Sequence, residues 1–149
     1  MSELFSSPCS MPEINTENQN IKKALTESKS IAIIGASPRE ELAGHYVMKY
    51  LLEQHYTVFP INPKYEGKTI LNQKVFKSMN QINQPIDMVD IFRPSAEALE
   101  ITKSAIQLGI KFIWLQLGIQ CDQSKALAEE SNTIIIMNRC TLIEHKKLL

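Results

Sequence analysis

The sequence predicts an α/β domain: a doubly wound, five-stranded parallel sheet with helices on both faces. Three observations carry that prediction. Five short apolar runs recur along the chain, at Ser30–Ile34, Thr57–Ile61, Met88–Ile91, Phe112–Leu115 and Thr133–Met137. Each run is apolar at successive positions, as a strand buried on both faces requires. Segments with helical character lie between them, the pattern of a parallel sheet covered on both sides.

Taken in order, residues 1–17 are polar, contain Pro8 and Pro12 and show no clear period. They are expected to form a flexible amino-terminal arm, leaving 18–149 as the folded domain. A helix is expected over about Thr16–Glu27, where Ile21, Ala24 and Leu25 fall at helical spacing. After the first strand a helix is expected over Tyr46–Gln54. The interval 62–87 is looser, with a short helix expected near Ser78–Ile82. Further helices are expected over Ala96–Leu108 and Ser124–Ser131. Pro94 opens the first of these, where its missing N–H costs nothing. Gly109 closes it, where a C-cap favours a left-handed residue.

The chain's 149 residues suffice for one domain with a hydrophobic core. Sixteen basic and sixteen acidic residues cancel, so no global field would gather nucleic acid or an anionic membrane. Any anion site must be local. The composition is 44% hydrophobic, but no run approaches the roughly 20 residues needed to cross a bilayer. The opening MSELFSSPCSMPEINTENQN carries an early acid and no apolar h-region, so no signal peptide is expected. Cys9, Cys121 and Cys140 are odd in number and lack C-x-x-C spacing, which argues against a disulfide framework or a zinc site. A cytoplasmic location is expected.

Sheets of this kind bind ligands beyond the carboxyl ends of their strands, where the strand order reverses. The segments that matter are therefore Gly35-Ala36-Ser37-Pro38-Arg39, Asn62-Pro63-Lys64-Tyr65, Phe92-Arg93-Pro94-Ser95, Gln116-Leu117-Gly118 and Asn138-Arg139-Cys140. The chain has only three arginines, Arg39, Arg93 and Arg139, and each falls just past the first, third or fifth strand. Lys64 holds the equivalent place after the second. Arginine makes planar, multi-donor contacts to phosphate or carboxylate, so four cations on one rim suggest a ligand with several negative charges. Lys68 is a further candidate. Gly35 lets the chain leave its strand sharply and permits close approach of a phosphate. Ser37 offers a hydroxyl, and the helix starting near Leu42–His45 turns its positive end toward the same crevice.

Two features count against NAD. No G-x-G-x-x-G follows the first strand, since Gly44 lies nine residues beyond Gly35. The acid that would hold a ribose 2′-hydroxyl is replaced by Ile61-Asn62-Pro63-Lys64. A lysine there suits a ligand with an extra phosphate, such as coenzyme A or NADP.

With these segments assembled, the chain resembles the small stand-alone CoA-binding-domain proteins of Rossmann-like fold. The stretches that carry the resemblance are IAIIGASPR, VFPINPKYEGK, DMVDIFRPSAE, IWLQLGI and MNRCTLIEH, spanning about residues 20–146. It is also similar to the amino-terminal CoA-binding domain of the succinyl-CoA ligase alpha subunit. The resemblance implies coenzyme A or an acyl-CoA as ligand. By it, Gly35, Ala36, Ser37 and Pro38 would pack against the phosphate region and Lys64 would face the nucleotide phosphates. Phe92, Arg93, Pro94, Leu117 and Gly118 would line the nucleotide and pantetheine path. Relatives commonly read Asp-Arg-Cys where this chain has Asn138-Arg139-Cys140, a departure that puts a partner of Arg139 or a ligand hydrogen bond in question.

No catalytic constellation is evident: no Ser-His-Asp order, no metal-ligand cluster, no Walker lysine. His45 is either a phosphate contact or general acid, or a helix-start residue packed beside the crevice. His55 reads as a surface turn residue, and His145 as a cap on the last strand. Cys140 is either a thiol activated by Arg139, able to form a mixed disulfide with a ligand sulfhydryl, or a small residue closing the sheet. Asp87 and Asp90 flank the third strand, and Asp90 falls on a face where it would be buried. Trp114 reads as core. The expectation is a CoA-binding carrier, sensor or regulatory module, with a partner protein or a homodimer open as further partners. An NADP-dependent oxidoreductase, and a protein-interaction module with a vestigial crevice, are the alternatives.

Overall fold

The computed structural model describes residues 10–149, with side chains from residue 16 onward. The first nine residues of the expected arm lie outside the described residues. Helix α1 (Ser10–Glu27) begins at Ser10 rather than near Thr16, so residues 10–17 belong to it. Pro12 is no obstacle, because it falls in the first turn, where the N–H groups have no intrahelical partner. Ile21, Ala24 and Leu25 are buried, as their spacing predicts.

The sheet comprises β1 (Ser30–Ile34), β2 (Thr57–Ile61), β3 (Met88–Ile91), β4 (Phe112–Leu115) and β5 (Ile134–Ile136), all parallel, in the order β2-β1-β3-β4-β5. Register is set by pairs such as Ile31 with Val58 and with Met88, and Asp90 with Trp114. Four helices follow α1: α2 (Ala43–Glu53), α3 (Ser95–Gln107), α4 (Asp122–Glu130) and α5 (Thr141–Leu148). Because successive side chains on a strand point to opposite faces, each apolar run feeds two cores. Ile31, Ile33, Trp114 and Ile136 pack with Leu25, Val47 and Leu51 beneath α1, α2 and α5. Ala32, Ile91, Ile113 and Leu115 pack with Ala98 and Ala105 on the α3 side. Trp114 is fully buried and its indole N–H donates to the Arg139 carbonyl at 2.8 Å, a core role.

The chain moves outward from β1 to β2, then returns across β1 to β3. The strand order therefore reverses between β1 and β3, and a crevice opens beyond their carboxyl ends.

Two parts of the chain differ from expectation. Residues 141–148, where the sequence predicts no helix and only His145 is read as a cap on the last strand, form helix α5. It is fixed by tertiary bonds more than by its own pattern: Tyr50 and the His145 ring nitrogen Nδ1 lie 2.7 Å apart, and Thr141 is fully buried. The looser interval holds a hairpin, Thr69–Ile70 against Gln73–Lys74, turned by Leu71 and Asn72 at φ 50° and 65°. Short 3₁₀ turns flank it at Pro63–Tyr65 and Met79–Gln81, the second where a short helix is expected. Phe76 bridges to Ile61, so this segment covers the free edge of β2. His55 sits in an exposed turn at φ 74°. Among the described residues no helix is long and apolar enough to cross a membrane.

Candidate ligand cleft

The first loop begins at Gly35, whose φ of 96° only glycine adopts readily. A Cβ there would also stand 3.0 Å from the Phe92 carbonyl oxygen, so β1 and β3 leave the sheet in close backbone contact. The Gly35 N–H donates to the Ile61 carbonyl at 3.0 Å. Ser37 is buried, and its hydroxyl accepts the Arg39 N–H at 3.1 Å, tightening the turn. The His45 Nδ1–H donates to the Ser37 carbonyl at 2.8 Å. This is the packed, helix-start role: His45 braces the loop from below and does not line the cleft.

Gly44 has a role that spacing alone concealed. A Cβ on it would lie 2.4 Å from the Gly35 carbonyl oxygen. The first turn of α2 thus presses directly on the loop, a closeness that in dinucleotide loops the third glycine provides. The N-cap of α2 is Leu42, which has no capping oxygen, and its first turn carries no acid. The His45 and Tyr46 N–H groups bond to the Leu42 carbonyl at 2.9 and 3.1 Å, whereas the Ala43 and Gly44 N–H groups before them have no side-chain partner and belong to residues that line the cleft, a place suited to an anion.

Asn62 joins the second strand's loop to the first. Its Nδ2 donates to the Ala36 carbonyl at 2.9 Å, and its Oδ1 accepts the Lys64 N–H at 3.0 Å. Lys64 is exposed, its ammonium 5.5 Å from the Tyr65 ring centroid. Arg93 binds Glu97 through two parallel bonds of 3.0 and 2.8 Å, a bidentate pair whose two residues both line the cleft. This pairing holds Glu97 below and Arg93 above their ordinary pKa ranges. Arg39 pairs with Glu41 at 2.7 Å in solvent.

A cleft of about 1210 Å³ runs along this edge. Of the residues the sequence singles out, it is lined by Gly35, Ser37, Arg39, Asn62, Pro63, Lys64, Phe92, Arg93 and Leu117. Ala36, Pro38, Pro94, Gly118 and Arg139 are not in its wall. Ala36 is fully buried beneath the loop and Pro94 is the N-cap of α3. Arg139 turns outward, its Nη2 donating to Glu17 of α1 at 2.8 Å. Asn138 supplies the acceptor for the Gly118 N–H at 2.7 Å, and sits at φ 59°, a conformation asparagine tolerates. The missing carboxylate at 138 thus leaves Arg139 paired and Gly118 bonded.

Sequence reasoning missed Lys77, Ser78 and Asn80, which the Ile61–Phe76 bridge brings to the cleft; Lys68 is not in its wall. Only a long-range pairing places them, and no local signal reports it. Cys140, the N-cap of α5, lines the cleft half-buried, whereas Cys121 caps α4 by accepting the Ser124 N–H.

Behind the cleft wall lies a buried polar chain. Thr141 Oγ1 is 2.9 Å from Asp90 Oδ2 and 3.0 Å from Gln116 Oε1, which also accepts the Thr141 N–H at 3.0 Å. One hydroxyl proton cannot serve both a carboxylate and an amide oxygen. A neutral Asp90 resolves this by donating to Thr141, which donates on to Gln116. Complete burial holds the Asp90 carboxyl well above the usual carboxylate range, partly opposed by the Thr141 bond. Among the described residues no group of three or more His, Cys, Asp or Glu side chains could hold a metal.

A glycine turn, an uncapped helix N-terminus and a cleft lined by Arg39, Lys64 and Arg93 at the switch point of a doubly wound sheet define a Rossmann-like α/β domain. The chain belongs to the CoA binding domain family, whose pattern matches residues 29–146. A solved structure from Thermus thermophilus superposes with a TM-score of 0.83 at 30% identity, over 89% of this chain and 98% of that one. A hypothetical protein from Pyrococcus horikoshii OT3 gives 0.82 at 39% identity, over 88% and 91%. The ADP-forming acetate–CoA ligase of Methanocaldococcus jannaschii is 34% identical over 89 residues, 60% of this chain but only 12% of the ligase.

Proposed function

We propose that the chain binds coenzyme A or an acyl-CoA in this cleft, as a carrier, sensor or regulatory module. The observation that carries the reading is the pairing of the open α2 N-terminus with the Gly35 loop, flanked by Lys64 and Arg93. Backbone N–H groups and a helix dipole favour a pyrophosphate. In this reading Lys64, one strand further out, meets a separate phosphate on the ribose, and pantetheine runs past Phe92 toward Leu117. The cleft exceeds the roughly 300–1,000 Å³ of common small-molecule sites, as an extended ligand requires. Family membership and the likeness to part of an acetate–CoA ligase support the same ligand.

Titration calorimetry with CoA and dephospho-CoA tests this. CoA should bind more tightly than dephospho-CoA, and Lys64→Glu should weaken CoA by at least about tenfold, the loss of one phosphate contact and the gain of a repulsion. Unchanged affinity in the variant removes Lys64 from the site, and no heat from CoA rejects the reading.

A further inference from the structure

Gln116 is the first residue past β4, and it lines the cleft. It is only 4% exposed, and all but one of its polar groups are taken. Its N–H donates to the Ile91 carbonyl at 3.2 Å, and its carbonyl accepts the Ile119 N–H at 2.9 Å. Its Oε1 accepts the Thr141 N–H at 3.0 Å and stands 3.0 Å from the Thr141 hydroxyl. A backbone N–H can only donate, so the atom facing it is the amide oxygen, and the orientation of the whole amide follows. With Oε1 turned inward to Thr141, Nε2 is left to the cleft that the residue lines. Its two hydrogens have no acceptor among the described residues. Asp90 does not take them, since its Oδ1 is buried with no partner of its own. A donor held so nearly out of water without an acceptor is costly, and a molecule in the cleft can satisfy it.

We propose that the Gln116 side-chain amide binds a carbonyl oxygen in the arm of the ligand, either an amide of pantetheine or the thioester of an acyl-CoA. The inference rests on the CoA reading above and assigns the contact that fixes where the arm runs. The loop that would take the pyrophosphate follows β1, and β4 lies two strands along in the order β1-β3-β4. That is roughly 10 Å at the usual strand spacing, beyond the phosphates and level with the arm. A carbonyl oxygen only accepts, so it complements an NH₂ group, whereas a thiol or a hydrocarbon would leave that group unpaired. The donor is preset, because the Thr141 N–H and the β3–β4 ladder hold the residue before any ligand arrives.

An NMR titration of the full chain reads the Gln116 side-chain amide pair directly. CoA should move that pair downfield, and 3′,5′-ADP, the nucleotide of CoA without its arm, should leave it in place. Calorimetry adds the affinity. Gln116→Glu keeps an acceptor for Thr141 and removes the donor, while Gln116→Met removes the donor without adding a charge. Both should bind CoA about three- to tenfold more weakly, the loss of one hydrogen bond. Gln116→Met should hold 3′,5′-ADP within about twofold of the parent. A greater loss for acetyl-CoA than for CoA assigns the thioester carbonyl, and an equal loss assigns a pantetheine amide; either sustains the proposal. Should a variant fail to fold in thermal melts, the amide signal of the parent decides. A signal that CoA leaves unmoved, or that 3′,5′-ADP moves as far, overturns the proposal and leaves CoA binding intact. Binding of none of the three ligands overturns both.

Discussion

The two ends of the sheet are built from the same kinds of residue and behave in opposite ways. At the amino ends of the strands the polar groups close on one another. The Asp87 carboxylate accepts the Lys29 and Ser30 N–H groups at 2.8 and 3.1 Å. The Ser30 hydroxyl donates to the Pro85 carbonyl at 2.8 Å and accepts the Asp87 N–H at 3.0 Å. At the carboxyl ends the side-chain bonds, the Arg93–Glu97 pair among them, shape the loops but leave other donors without a side-chain partner: the first N–H groups of α2 and the Lys64 ammonium. An end whose hydrogen bonds are satisfied internally contributes stability, and an end left with unpaired donors contributes affinity.

That contrast can be broken by mutation, and the largest effect is expected at Gly44. Gly44→Ala puts a methyl 2.4 Å from the Gly35 carbonyl oxygen, so helix and loop must separate. Urea denaturation should show a loss of about 1–3 kcal/mol, and calorimetry should show no measurable CoA binding. Retained binding would mean that the tight contact is not what shapes the site. Asp87→Ala probes the other end. It strands two backbone N–H groups and should cost about 1–3 kcal/mol, with CoA affinity unchanged; a weakened affinity would couple the two ends.

Smaller effects concern the buried acid. Burial raises the folded-state pKa of Asp90 above that of the unfolded chain and so favours its neutral form on folding, with the Thr141 bond partly opposing this. Its folded pKa is raised, so its contribution is fully present below the ordinary carboxylate pKa and is lost as pH rises toward the folded value. Asp90→Asn keeps a donor toward Thr141 and removes the ionisation. Thermal melts should show higher stability in the variant at pH 8 and a flatter profile above pH 4. A parent and variant with the same pH slope would place the titration elsewhere. The mildest expected change is in salt dependence. CoA affinity in calorimetry should fall between low and high ionic strength as exposed cations are screened, and an affinity that does not change with salt would remove Lys64 and Arg93 from the site.

All five strands were legible in the sequence, with β5 shorter by a residue at each end, because burial on both faces leaves unbroken apolar runs such as Ile31–Ile34 and Phe112–Leu115. The helices between them were legible to within a few residues, and Pro94 and Gly109 marked the ends of α3. What escaped was set by distant partners. Helix α5 depends on Tyr50 and on the Asp90–Thr141–Gln116 chain, and the hairpin depends on the edge of β2 that it covers. In the cleft, Gly35, Lys64 and Arg93 could be placed because they directly follow strands. Arg139 follows a strand too, yet faces Glu17 on α1, a helix whose approach to β5 no local pattern announces. Gly44 breaks the spacing of a glycine motif, yet its position opposite the Gly35 carbonyl gives the close approach that the motif's last glycine provides.

The measurement that tests the account most directly is an amide NMR titration of the full chain with CoA. The account predicts shifts at Gly35, Gly44, Lys64, Arg93 and Leu117, with Lys29, Ser30 and Asp87 unmoved. Shifts gathered at Lys29, Ser30 and Asp87, with Gly35 and Gly44 unmoved, would contradict it.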